Sequence, residues 1–317
     1  MMKQLITVGP RKTKVVDAPI PTPNDDQMLI KVKYCGICMS EHYDWTEGQV
    51  GREFGHEPMG YVEAVGKNIT KFKVGDRVSF LCGNAFSEYA LANELTTFRV
   101  PENISDEDAP IEPLICLLSA ANKLRIPVLG DAAAVVGTGY MGLGMVTLLK
   151  QVKGIGKVVA VDIRKEAREN ALKFGADEAY APEELPQEYI ADSEHMYSRG
   201  FKLVSEWGET EESLDVAIKM TQARGMLGIG AYHTGGKRSV DVQMLNAKAI
   251  DALSTHPRHT SEEFHQLGEN VYTLLSKGIW KYTNVPHKIY NLDEFDLAHE
   301  EILGKPGNFV KGLIKCS

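Results

Sequence analysis

The chain is poor in the features that mark several large protein classes. It has five cysteines, at positions 35, 38, 82, 116 and 316. An odd, scattered set is no disulfide framework, and it fits a reducing cytoplasm better than a secreted scaffold. Basic residues are not in excess: 35 Lys and Arg stand against 43 Asp and Glu, for a formal net charge of -8. With no basic cluster, nucleic acid is not an expected partner. The longest apolar runs, such as AAAVVG at 132–137, are far too short to span a bilayer, so no membrane is expected either. The opening MMKQLITVGPRKTKVV lacks a long apolar core and a small-residue cleavage site and does not read as a signal peptide. Internal repeats and low-complexity tracts are also missing. What remains is 43% hydrophobic and 25% charged residues over 317 positions, an ordinary globular composition with room for two domains.

The hydrophobic period changes along the chain. Residues 1–100 read as short strands, among them MLIKVKYC, YVEAVG, DRVSFL and SEYALA, broken by Gly, Asn, Asp and Lys. A Pro- and acid-rich loop at 101–113 follows, and EPLICLLSAANKLRI then has helical spacing. From DAAAVVG onward, strands such as KVVAV alternate with helices such as ESLDVAIKMTQ. That alternation predicts an α/β arrangement, a parallel sheet with helices on both faces. SEEFHQLGENVYTLLSKG is an amphipathic helix, with Ser261 expected at its cap and Gly278 at its end.

VVGTGYMG places Gly137, Gly139 and Gly142 at G-x-G-x-x-G spacing. A lone match is weak, but this one follows an apolar strand and opens a helix, as dinucleotide binding requires. The first glycine permits a tight turn, the second lets a pyrophosphate approach the backbone, and the third lets helix and strand pack closely. The turn through Tyr140 and Met141 then faces the phosphates with free N–H groups and the positive end of a helix dipole. The next strand ends at Asp162, where an acid accepts the adenosine ribose hydroxyls and favours NAD over NADP. Arg164, close by, could tolerate a 2′-phosphate and works against strict preference. The plainer reading is a glycine turn in an unrelated α/β protein.

FGHEPMGYVEAVG, residues 54–66, sets His56 and Glu57 side by side at the mouth of an apolar strand. Burying charge there is costly unless it is paired or bound to a metal. Cys35 and Cys38 in YCGIC, Glu112 in IEPLI, and Glu57 itself are the available further ligands. One thiolate, one imidazole and one or two carboxylates make a zinc set, and an exchangeable position would mark a catalytic site. Neighbours on a strand point to opposite faces, so His56 and Glu57 reach one ion only if the backbone turns, which Gly55 permits. Each residue also has a plainer reading. His56 and Glu57 could be a hydrogen-bonded core pair. Cys-x-x-Cys could be a redox pair, although that would have to start a helix. Glu112 could simply favour a helix dipole.

With these residues on the page, the chain resembles the zinc-dependent medium-chain alcohol and polyol dehydrogenases, the sorbitol and threonine dehydrogenase type. GHEPMGYVEAVGKNI fits that family's zinc signature from Gly55 to Ile69, and CGICMSE, FKVGDRVSF, AFSEYALA, EPLICLLSAA, VVGTGYMG and FVKGLIK match its landmarks in order. The resemblance implies a GroES-like β-rich catalytic domain in two pieces, 1–118 and 255–317, around a Rossmann domain at 119–254, with the active cleft between them. It implies Cys38 and His56 as zinc ligands, Glu112 in the place of a third, and Glu57 as a ligand that exchanges with water. Glu41 would hold the zinc-bound histidine, Ser40 would hand on the substrate proton, and Lys311 resembles a basic residue near the cofactor pyrophosphate.

Two departures stand out. Relatives commonly end the proton relay on a histidine five places after the zinc cysteine. Here that place is Tyr43, and His42, one earlier, is the candidate. The lobe that carries four cysteines and a structural zinc is also shortened to VSFLCGNAFSEYA, leaving Cys82 alone. One catalytic zinc per chain is therefore expected, with no structural one. The implied reaction is NAD-linked interconversion of a secondary alcohol and its ketone, with zinc as Lewis acid and direct hydride transfer. Trp45, His42 and Tyr43 are expected to line a pocket for a hydroxylated substrate, a polyol or sugar derivative. Relatives pair as dimers or tetramers, so a homo-oligomer is expected. The alternatives are a zinc-free quinone or enone reductase of the same superfamily and a non-catalytic NAD-binding sensor or structural protein.

Overall fold

The computed structural model describes residues 1–128 and 130–317. The chain divides into two compact units, Met1–Ile115 with His259–Ser276 and Thr283–Ser317, and Cys116–Arg258 with Lys277–Tyr282. The turns of chain thus fall a few residues from the expected 118/119 and 254/255. Residues 277–282, expected with the catalytic part, pack with the second unit instead.

The first unit contains strands β1 (Met2–Gly9), β2 (Lys12–Ala18), β3 (Gln27–Gly36), β4 (Glu57–Val65), β5 (Arg77–Phe80), β6 (Tyr89–Asn93) and β7 (Thr97–Arg99), with the short helix α1 (His42–Glu47) between β3 and β4. Helix α2 (Glu112–Lys123) begins in it. In β3 the alternation read from the sequence becomes burial: Met28, Ile30 and Val32 are fully enclosed while Lys31 faces solvent. These side chains join Val62, Val78, Phe80, Phe86 and Phe295 in one apolar cluster. At about 1.5–3 kcal/mol for each large apolar side chain, that burial is the main term holding the unit together.

The second unit is built on β8 (Ala132–Val136), β9 (Lys157–Val161), β10 (Glu178–Tyr180), β11 (Phe201–Glu206), β12 (Thr221–Ile229) and β13 (Asp251–Ser254). All their pairings are parallel, in the order β10-β9-β8-β11-β12-β13. By position along the chain this is 3-2-1-4-5-6, the doubly wound order, with its ligand crevice at the carboxyl ends where the order reverses. β8 and β9 are covered on both faces, so they are near-continuous runs of Ala and Val without alternation. Helices α3 (Tyr140–Thr147), α4 (Lys165–Lys173), α5 (Glu211–Met220) and α6 (Val242–Ala247) connect them.

The chain then returns to the first unit through α7 (Ser261–Ser276), β14 (His287–Asn291), α8 (Phe295–Gly304) and β15 (Lys311–Lys315). The seven-stranded sheet runs β14-β15-β3-β4-β5-β7, with β6 also on β3. The carboxyl end of β3 is the key position. Gly36 lies opposite Glu57 on β4 and opposite Leu313 on β15, so residues far apart in sequence meet there. One cap differs from expectation. Ser261 is the first helical residue of α7, and Thr260 before it exchanges reciprocal hydrogen bonds with Glu263, at 3.2 and 2.9 Å. No helix among the described residues is long and apolar enough to cross a membrane.

Candidate active site

Cys38 leaves the end of β3 in extended conformation and starts the short turn Met39–Glu41. His56 sits just before β4, after Gly55 at φ +104°. A side chain at Gly55 would meet the Phe86 backbone nitrogen at 2.6 Å, so only glycine makes this turn. Because β4 begins at Glu57, the strand rule of opposite faces does not separate the two side chains. Cys38, His56 and Glu57 each bring one ligand-type atom to a point where all lie within 4.8 Å of one another. Zinc holds sulfur at about 2.3 Å and nitrogen or oxygen at about 2.0–2.2 Å, which sets tetrahedral neighbours roughly 3.5 Å apart. The donor set and its spacing fit such an ion.

His56 pairs with Glu41 and not with its neighbour Glu57. Glu57 is enclosed, and a Cβ at Gly36 would lie 2.0 Å from its Oε2. The bare glycine is what leaves room for the carboxylate. Glu41, also buried, accepts from the Gly55 backbone N–H at 2.9 Å and from His56 Nδ1 at 2.9 Å through the same Oε1. With its proton on Nδ1, the His56 ring turns Nε2 to the other donors. Burial disfavours the His56 imidazolium, but Glu41 and then Cys38 outweigh it and hold the ring well above the ordinary histidine value. Burial likewise pushes Glu41 up, and His56 and the Gly55 N–H outweigh it, leaving the carboxyl below its usual range. A cation held by these donors would displace the extra proton.

Ser40 is exposed and donates its hydroxyl to Cys38 Sγ at 3.3 Å. The other cysteines of this region are packing residues. Cys35 is enclosed in the β core and Cys82 packs against it. Burial raises the Cys35 thiol strongly and the Cys82 thiol to about 11.

Glu112, Lys311 and Trp45 have surroundings that their sequence positions do not announce. Glu112 heads α2 but does not join the three-residue group; its charge acts on Lys311 instead. Lys311, expected near a pyrophosphate, is buried with its ammonium 2.5 Å from Glu57 Oε2 and donating to the Ile37 carbonyl at 2.9 Å. Burial works against that charge, and Glu57 outweighs it, so the ammonium sits above the usual lysine value. Trp45, expected in a pocket wall, is a packing residue. It is fully enclosed, donates Nε1 to Asp296 at 2.9 Å and packs on His299. Tyr43 is exposed, and His42 stands in the first turn of α1 with its ring stacked on His299. His299 falls with Phe295, Ala298 and Ile302 on the buried stripe of α8, where a histidine is out of place.

In the second unit the glycine turn has the expected form. Gly137 has φ +83°, and a Cβ there would meet the Gly208 nitrogen at 2.5 Å, while one on Gly142 would strike the Gly137 carbonyl. Gly139 caps α3, which Tyr140 and Met141 open. Asp162 follows β9 and accepts from the Thr138 N–H at 2.8 Å and the Arg164 N–H at 2.9 Å. Arg164 Nε lies 3.6 Å from the same carboxylate, so its charge is turned toward Asp162.

Comparison with known proteins agrees with this construction. Residues 24–102 match the family described as alcohol dehydrogenase GroES-like domain, and residues 141–272 match zinc-binding dehydrogenase, together more than half of the chain. Sorbitol dehydrogenase of Bacillus subtilis is 27% identical over 288 residues, covering 79% of this chain and 80% of that protein. A solved structure described as a short chain alcohol dehydrogenase from Escherichia coli CFT073, complexed with NADH, superposes with a TM-score of 0.84 at 23% identity over 99% of both chains. The 2R,3R-butanediol dehydrogenase of Bacillus subtilis gives 0.82 at 23% over the whole of both. The chain belongs to the zinc-dependent medium-chain alcohol dehydrogenase family, with a GroES-like unit and a Rossmann unit.

Proposed function

We propose that this chain is a zinc-dependent, NAD-linked dehydrogenase that interconverts a secondary alcohol, of polyol or sugar-derived type, and its ketone. The meeting of Cys38, His56 and Glu57 at one point, backed by Glu41, carries the reading. Three metal-type donors at one point argue against a zinc-free reductase. When bound, zinc supplies Lewis acidity toward a substrate oxygen and NAD supplies the two-electron acceptor.

The chain's own residues do the rest. Cys38, His56 and Glu57 hold the ion, and Glu41 fixes the His56 tautomer. Lys311 offsets part of the negative charge that a thiolate and a carboxylate bring. Ser40 Oγ, exposed beside Cys38, takes the hydroxyl proton of the substrate and passes it outward, with His42 as the next group. The Gly137–Gly142 turn and the first turn of α3 hold the pyrophosphate. Asp162 accepts the ribose hydroxyls and, with Arg164 turned to it, selects NAD. A donor set with one thiol and one carboxylate is softer in its demand on the substrate oxygen and suits hydroxylated substrates. We place the enzyme in a reducing cytoplasm, in keeping with its free cysteines, with one catalytic zinc per chain and with copies paired as a homo-oligomer.

A panel of polyols, sugar alcohols and simple aliphatic alcohols, followed by NADH formation, tests the reading. The fastest substrate is expected to be a polyol. Aliphatic alcohols outrunning every polyol would remove the substrate class, and no turnover of any alcohol by zinc-loaded protein would remove the activity.

A further inference from the structure

His299 is fully buried on α8, in a box made by His42, Trp45 and Phe295. Its ring stacks on His42 with centroids 5.5 Å apart and planes 6° apart, and lies 4.6 Å from Trp45. Neither ring nitrogen has a hydrogen-bond partner among the described residues. A phenylalanine would fill the same box without leaving two polar atoms dry, at about 1–3 kcal/mol each. Buried polar groups without protein partners are ordinarily joined by internal water.

A second orphan marks what His299 serves. Glu41 is buried, and while its Oε1 is used twice, by Gly55 and His56, its Oε2 has no partner among the described residues. The charged and titratable groups whose fields act on His299 are Glu41, His42, Asp296 and Glu300. Asp296 is committed to Thr13 and Trp45, and Glu300 to Arg11 at the surface. Glu41 is therefore the carboxylate with an oxygen to spare.

We propose that His299 is a positioning residue of the metal site. Through one bridging water it donates to Glu41 Oε2, and so fixes the carboxylate whose other oxygen orients His56. The proposed relay runs from His299 on α8 through that water and Glu41 to His56, and the aromatic box holds the His299 ring in place. The inference rests on the metal reading of Cys38, His56 and Glu57.

The test is zinc affinity by competition with a chromophoric chelator, for wild type, His299→Phe, Glu41→Gln and the double variant, with the visible spectrum of the cobalt-loaded forms. His299→Phe is expected to weaken zinc binding about tenfold, the scale of losing an outer-shell partner, and to shift the cobalt bands. It is expected to add no further loss in the Glu41→Gln background. His299→Gln, which keeps a donor, is expected to recover most of the affinity. Wild-type affinity in His299→Phe, or an equal loss with and without Glu41, would overturn the inference while leaving the metal reading intact. A wild-type protein that takes up no zinc would overturn both. Should His299→Phe fail to fold, His299→Gln against His299→Met, similar in volume and different in hydrogen bonding, decides in its place: tighter zinc binding by Gln supports the proposal, and equal binding ends it.

Discussion

Lys311→Met isolates the buried ion pair beneath the site. The substitution keeps an unbranched side chain of similar length and deletes an ammonium 2.5 Å from Glu57 Oε2, where side-chain exposures are 7% and 1%. Left alone, Glu57 becomes an uncompensated buried charge, which costs about 3–5 kcal/mol. Ile37 also loses its donor, which adds about 1 kcal/mol. For a unit of this size each kcal/mol moves the midpoint by about 2–4 °C, so metal-free Lys311→Met should melt roughly 8–24 °C below metal-free wild type. With zinc present, the cation takes over part of the compensation of Glu57, and the gap should shrink. Glu57→Gln in the same background should recover much of the metal-free loss. The ammonium is held above 10.5. A lysine with a raised folded-state pKa contributes fully below its unfolded value and loses the contribution only as pH rises past it. The gap should thus not change between pH 6 and 9 on account of Lys311. Calorimetry of metal-free and zinc-loaded proteins reads all of this. A metal-free Lys311→Met as stable as wild type would refute the pair as described.

Two further outcomes follow from the same geometry. Burial holds His299 at about 4, against 6.5 for the free ring, with Glu41, Asp296 and Glu300 raising its proton affinity and His42 lowering it. The unfolded chain then takes the proton first, so stability is full above about pH 6.5 and drains by up to about 3 kcal/mol as pH falls toward 4. Metal-free His299→Phe should lose less than metal-free wild type over that window in denaturant titrations, and parallel curves would count against it. Asp162→Asn removes the charged acceptor at the end of β9 and should raise KM for NAD by about ten- to a hundredfold, roughly 1.5–3 kcal/mol, with zinc content unchanged. Steady-state kinetics with NAD and NADP checks it, and an unaltered KM for NAD would remove Asp162 from the cofactor site.

What could be read without coordinates was local in chain. The glycine turn, the strand before it and Asp162 after it lie within one β-turn-α-β stretch, where spacing alone fixes geometry. His56 and Glu57 stood out because a strand mouth has little use for an ionisable pair, whereas only the family resemblance chose Cys38 over Cys35. The unread part depends on strands and helices that meet late. Lys311 reaches Ile37 across 274 positions and meets Glu57 only because β15 and β4 flank the end of β3. Nothing near FVKGLIK announces that register. Trp45 looked like a pocket wall because it follows the metal cysteine, but α8 covers it with Asp296 and His299. Glu112 is the opposite case: its family position suggests a ligand, and the structure sets it at the head of α2 beside the three-donor group rather than within it. Thr260 and Ser261 are both good caps, and only the backbone path chooses between them.

The central claim is that Cys38, His56 and Glu57 form one metal site. Elemental analysis of purified protein never exposed to chelators, beside Cys38→Ser, tests it most directly. About one zinc per chain in wild type, lost in the variant while the fold persists, is the predicted result. Two zincs per chain, or one that Cys38→Ser retains, would contradict it.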